Sequence, residues 1–131
     1  MEAIAKINSK YRTEIDARGH QLIADEPEEN GGQNSGPSPG DFLRSSLASC
    51  TAITLKMYAD RKEWATGEIS VKVEYRKNLD DFEPNFHVEV SFENKDLTED
   101  QLKRLDLIAK KCPGHKILSK SHERQVKTRK S

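Results

Sequence analysis

The stretch from Phe42 to Ala59 constrains this chain more than any other part of it. It contains neither glycine nor proline, and no charged side chain falls between Ser45 and Leu55. A helix uncharged on all sides is a buried helix, so this segment predicts the central element of the fold. Ser38 is placed to cap it, Pro39 suits its first helical position, and Asp41 stands three residues after the cap. Charge returns at Asp60, Arg61 and Lys62, where the helix should emerge from its surroundings. Small residues at Ser45, Ala48, Ser49 and Ala52 would let another backbone approach closely.

The segments around this helix carry a period of two. Residues 2–9 alternate apolar and polar, as a half-buried strand does. Residues 11–17 read as a second strand, Arg18-Gly19 as a turn, and His20 to Asp25 as a third strand. Residues 26–38 are rich in Pro, Gly and Asn and lack large apolar side chains, so they predict a long loop. Beyond the helix, residues 68–77 place Ile69, Val71, Val73 and Tyr75 on one face, and residues 86–93 do the same with Phe86, Val88, Val90 and Phe92. These two strands should form a hairpin, linked through Asn78 to Asn85.

Thr98-Glu99-Asp100-Gln101 is a capping box opening a second helix, with an apolar stripe through Leu102, Leu105, Ile108, Ala109 and Cys112. Pro113 stops that helix and is placed to open a short one through Leu118. His122 to Thr128 read as a final strand. The whole predicts one α+β domain over residues 1–131: an antiparallel sheet, a long buried central helix and a second helix.

Composition narrows the function. Apolar and charged residues each make up 34% of the chain, a polar balance for which a partner subunit would help complete the core. Lys+Arg and Asp+Glu number 22 each, so no net charge draws the chain to nucleic acid or to an anionic membrane. The first residues show no apolar signal core, and no run is long enough to span a membrane. A cytoplasmic protein is expected. The two cysteines do not make a disulfide framework. In a reducing compartment such thiols are either inert core residues or redox-active ones.

A thiol reacts as its thiolate, so its surroundings decide between those cases. Cys112 stands before Pro113 at an expected helix start, where free backbone N–H groups favour an anion. Cys50 has the hydroxyls of Ser46, Ser49, Thr51 and Thr54 within one helical turn. Free cysteine is also among the most buried residue types, so inert core thiols remain open. Cys112-Pro113-Gly114-His115 has ligand-like spacing, but a second close pair is missing and no metal site is expected. The sequence holds no dinucleotide, phosphate-loop or HExxH motif, and no cofactor is expected.

Taken in order, Gly31-Gly32-Gln33-Asn34-Ser35-Gly36-Pro37-Ser38-Pro39, Phe42-Leu43, Leu47-Ala48-Ser49-Cys50-Thr51-Ala52, Met57-Tyr58-Ala59 and Cys112-Pro113-Gly114-His115-Lys116-Ile117-Leu118 resemble the OsmC/Ohr family of hydroperoxide-reducing proteins. The resemblance covers essentially the whole chain. It implies an intertwined homodimer with the two long helices packed together between two sheets. It further implies a thiol-dependent peroxidase acting on organic hydroperoxides or hydrogen peroxide. Cys50 would become a sulfenic acid, Cys112 would condense with it to a disulfide, and an external dithiol would restore the pair.

The family commonly sets an arginine from its N-terminal strands beside the reactive thiolate. The candidate here is Arg12, with Arg18 second. The glutamate that holds this arginine in the family falls at Gly40, and Asp41 is the nearest acid, serving either that arginine or the helix N-terminus. This departure fits a shorter, general OsmC-like member. Two rivals follow from the same architecture: a non-catalytic dimer that binds a small apolar ligand, and a redox sensor whose disulfide alters a partner contact.

Overall fold

The computed structural model describes residues 1–76, 85–120 and 124–130. It is α+β, with two antiparallel sheets and three α-helices among the described residues. Its contacts divide it into two compact units, Met1–Ser45 and Ser46–Ser131.

The first unit is built on a three-stranded meander in the order β1 (Ala3–Ile7), β2 (Thr13–Ala17), β3 (His20–Ala24). Ala17 pairs with His20, leaving Arg18 and Gly19 as a two-residue turn with φ of 54° and 83°. Positive φ at both central residues matches the right-handed twist of a hairpin. The Asp16 carboxylate supports the turn by accepting from the Gly19 N–H at 3.1 Å and the Gln21 amide at 2.6 Å. β1 forms as its alternation predicts, but within the chain it is not half-buried; Ile4 and Ile7 are exposed.

Residues 26–38 are more ordered than their composition suggests. Asp25, at the end of β3, is only 2% exposed. It accepts from the backbone N–H groups of Glu26 (2.8 Å), Gln33 (3.3 Å) and Ser35 (3.1 Å), and from the Ser35 hydroxyl (2.5 Å). The segment thus folds around one buried carboxylate. The Ser35 hydroxyl does most to hold that carboxyl below its usual range, against the opposing effect of burial. Within the segment, Glu28–Asn30 form a 3₁₀ turn. Gly32 is required there, because a Cβ would collide with the Glu26 carbonyl.

α1 (Pro39–Arg61) begins as its sequence predicts. The Ser38 hydroxyl accepts from the Asp41 N–H at 3.2 Å, and the Asp41 carboxylate accepts from the Ser38 N–H at 2.9 Å. At the other end Glu63 takes φ 56°, which lets the Trp64 N–H reach back to the Ala59 carbonyl at 2.9 Å.

The second unit pairs β4 (Ile69–Arg76) with β5 (Asn85–Phe92), in a register that sets Val71 opposite Val90 and Val73 opposite Val88. The hairpin link at 77–84 lies outside the described residues. α2 (Glu99–Ala109) opens on the predicted capping box. The Thr98 hydroxyl accepts from the Gln101 N–H, and the Gln101 side chain accepts from the Thr98 N–H. Leu55 and Tyr58 of α1 and Leu105 and Ile108 of α2 form the core, with Trp64, Ile69, Val90, Phe92 and Leu97 packed around them. Arg104 Nε donates to the buried Tyr58 hydroxyl at 2.9 Å, and this bond above all lowers the phenol below its usual range.

Burial of α1 is one-sided within a single chain. Leu47, Thr51, Leu55, Tyr58 and Ala59 are buried, while Ile53 and Met57 on the other side are 54% and 65% exposed. The predicted last strand does not form over its described part: residues 124–130 are exposed and irregular, and His122 and Glu123 lie outside the described residues. No helix among the described residues is long and apolar enough to cross a membrane.

Candidate functional site

α3 (Pro113–Leu118) starts where the sequence places it, with Cys112 as its N-cap and Pro113 in its first turn. Proline suits this position because its missing N–H would have no helical partner, and its φ is already helical. The Cys112 side chain acts as the cap: its sulfur accepts from the His115 N–H at 3.2 Å. Cys112 is fully buried, and both cysteines are free thiols.

The next amide of the same turn goes to the other cysteine. The Gly114 N–H donates to Cys50 Sγ at 3.3 Å. Cys50 is half-buried in α1, next to the fully packed Thr51. Glycine at 114 eases this approach, since a Cβ there would stand 3.3 Å from both Cβ and Sγ of Cys50, tighter than most packing contacts. One turn of backbone therefore serves two sulfurs through consecutive N–H groups, and each N–H is oriented to stabilise negative charge on its sulfur.

Two of the hydroxyls expected around Cys50 have other partners. Ser49 donates to the Ser46 carbonyl at 3.2 Å, and Thr51 to the Leu47 carbonyl at 2.8 Å. Thr51 lies within hydrogen-bonding reach of Cys112, at 3.6 Å, rather than being a partner of Cys50. Reading the sequence named Thr51 only as a hydroxyl near Cys50, and Gly114 and His115 only within the Cys-Pro-Gly-His run; their contacts to the two sulfurs are what the structure adds. The run Cys-Pro-Gly-His held the signal for two of them: a proline fixing the turn and a glycine clearing the approach.

A cavity of about 700 Å³ opens beside this turn. Thr51 and His115, which both reach Cys112, form part of its wall. Val88, Val90 and Phe92 of β5 and Leu105 of α2 make its apolar sides. Such a space suits a small, largely apolar molecule met by a few polar groups. Among the described residues no three His, Cys, Asp or Glu side chains gather as metal ligands.

The other sequence candidates sit in the first unit. The Arg12 guanidinium pairs with the Glu14 carboxylate at 2.9 Å, on an exposed part of the chain. Arg18 meets the His20 ring at 3.5 Å. Asp41 caps α1 and also pairs with Arg44, one turn along the same helix. The Ser38 backbone N–H, then the Ser38 hydroxyl and Arg44, hold its carboxyl below the usual range.

Residues 32–127 match the family model for OsmC-like protein. The chain belongs to the OsmC-like family. Solved structures share its fold. A Psychrobacter arcticus 273-4 protein, assigned to osmotic stress induction and the detoxification response, superposes with a TM-score of 0.75 at 24% identity, covering 88% of this chain and 85% of its own. An OsmC-like protein from Mycoplasma pneumoniae gives 0.69 at 23% identity, covering 90% and 86%. The organic hydroperoxide resistance protein OsmC from Legionella pneumophila gives 0.67 at 16% identity, covering 89% and 87%. No curated protein sequence matches the chain significantly.

Proposed function

We propose that this OsmC-like protein is a thiol-dependent peroxidase acting on organic hydroperoxides or hydrogen peroxide. One observation carries the proposal: consecutive N–H groups of one turn, Gly114 and His115, donate to Cys50 and Cys112. Family membership and the hydroperoxide resistance named for the Legionella protein support it.

In the proposed cycle the Cys50 thiolate attacks the terminal oxygen of the hydroperoxide. The O–O bond breaks, an S–O bond forms, and the alkoxide leaves and is protonated to an alcohol. Cys112 then attacks the sulfenic sulfur, an S–S bond forms, and hydroxide leaves as water. An external dithiol reduces the disulfide by exchange and becomes a disulfide itself. Cys50 is the attacking thiol because it is the more open of the two; Cys112 is sealed from solvent. Arg12 is assigned to the thiolate through the family resemblance.

The unit of function is an intertwined cytoplasmic homodimer of single-domain subunits. The exposed Ile53 and Met57 of α1 support the assembly, since large apolar side chains on the side of a helix that its own chain leaves open suggest a covering partner. Reduced protein should consume a stoichiometric amount of hydroperoxide. Cys50→Ser should abolish this, and Cys112→Ser should leave a sulfenic acid that dimedone traps. Unchanged consumption by Cys50→Ser would reject the proposal.

The apolar-walled cavity favours one second reading, a non-catalytic dimer that holds a small apolar ligand. Ligand carried through purification, with no hydroperoxide consumed, would distinguish it. A redox sensor would instead oxidise once without sustained turnover.

A further inference from the structure

The Cys112 sulfur is shut away from water, so protein groups must satisfy it in either protonation state. Among the described residues two groups reach it. The His115 N–H, at 3.2 Å, can only donate. The Thr51 hydroxyl, at 3.6 Å, can do either, having one proton and two lone pairs.

In the structure that proton is committed to the Leu47 carbonyl at 2.8 Å. The Thr51 oxygen therefore faces the sulfur as an acceptor, which matches a Cys112 thiol donating its S–H. Rotation about the Thr51 Cβ–Oγ bond would turn the proton to the sulfur instead. The Leu47 carbonyl, inside α1, keeps its helical N–H partner when this happens.

We propose that Thr51 is a positioning residue for Cys112, its hydroxyl accepting from the thiol and turning to donate to the thiolate. The buried sulfur can then lose its proton without being left unpaired. This inference rests on Cys112 being the resolving thiol. In that step the Cys112 thiolate attacks the Cys50 sulfenic sulfur, the S–S bond forms as the S–O bond breaks, and the departing hydroxide takes up the proton that Cys112 released and leaves as water. The Cys112 sulfur is oxidised and the Cys50 sulfur is reduced by the same amount, so no outside oxidant enters. Thr51 acts before the bond forms, by making the attacking thiolate available.

The test separates this role from peroxidase function. In a Cys50→Ser background, Cys112 is the only cysteine, and its thiolate absorbance can be followed against pH. Thr51→Val keeps the side-chain shape and removes the hydroxyl, so the Cys112 midpoint should rise by about one pH unit, because a hydrogen bond to the charged form is lost. Thr51→Ser should restore the original midpoint. Should Thr51→Val fail to fold, Thr51→Ala carries the same comparison. A midpoint unchanged or lowered on loss of the hydroxyl overturns the proposal.

With both cysteines present, Thr51→Val treated with one equivalent of hydroperoxide should reach the Cys50 sulfenic acid. It should then hold that species several-fold longer, as read by dimedone. Should no hydroperoxide oxidise the wild-type protein at all, the peroxidase proposal fails, and the thiolate midpoint still decides the role of Thr51.

Discussion

Gly114 and Cys50 stand in direct contact, with the Gly114 N–H donating to the Cys50 sulfur at 3.3 Å and only tight room for a Cβ between them. A methyl group at 114 would press on both Cβ and Sγ of Cys50 at 3.3 Å, closer than ordinary packing allows. Gly114→Ala is therefore expected to destabilise the fold by about 1–2 kcal/mol through overpacking. It should also slow Cys50 alkylation, by moving the sulfur off its donor. Urea unfolding and iodoacetamide kinetics measure the two effects. Loss of stability with unchanged Cys50 reactivity would mean that the Gly114 N–H does not activate the thiol.

Asp25 gathers four donors in the first unit, and its carboxyl lies below its usual range in the folded chain. The folded state thus prefers the ionised form more than the unfolded chain does. The resulting stabilisation is fully present above the unfolded carboxyl range, near pH 4, and is lost as pH falls through the lower folded value. Limited proteolysis within residues 26–38 should accelerate several-fold as pH drops below 4, using an acid-active protease. Asp25→Asn should show the faster cleavage already at neutral pH and no further acid step in that segment. A wild-type cleavage rate in Asp25→Asn would show that other contacts hold the segment.

Ile53 and Met57 lie exposed on the side of α1 that the core leaves free. Should a second copy cover them, Ile53→Glu would bury an unpaired carboxylate in that interface. The expected outcome is a shift from dimer to monomer in sedimentation at micromolar concentration. Were this face open to water in the working protein, the substitution would leave the sedimenting mass unchanged and stability within about 0.5 kcal/mol, as ordinary surface changes do.

Leu105 joins α2 to α1 in the second unit and is 1% exposed. Leu105→Ala should cost about 2–5 kcal/mol in urea unfolding, from lost burial and the void left behind. The same residue walls the cavity, so the variant should also enlarge that space. A small apolar dye should bind it more tightly than it binds the wild type.

What could be read in advance was local. Ser38 with Asp41, Thr98 with Gln101, and Cys112 with Pro113 are short-range signals in which cap and partner lie within one helical turn, and all three appear as expected. What escaped was set by pairs distant in sequence. Nothing in residues 26–38 announces that Asp25 will organise Gln33 and Ser35. Nothing in α1 tells which of its hydroxyls will face a sulfur arriving 61 residues later. Over its described residues, the expected strand at the C-terminal end is absent for a related reason. Period-two polarity describes a face, but a strand also needs a neighbour, and residues 124–130 stay exposed without one, Val126 included. The apolar side of α1 was legible as sequence, yet a single chain buries only half of it.

The Cys112 sulfur is also the group that starts α3, since the His115 amide has it as acceptor. Any bond that draws this sulfur elsewhere removes the cap from a helix of only six residues. Oxidation state would then be written into backbone order. Amide exchange at His115 and along the turn that follows would run faster in the oxidised protein, giving a gauge of thiol status that needs neither substrate nor chemical label.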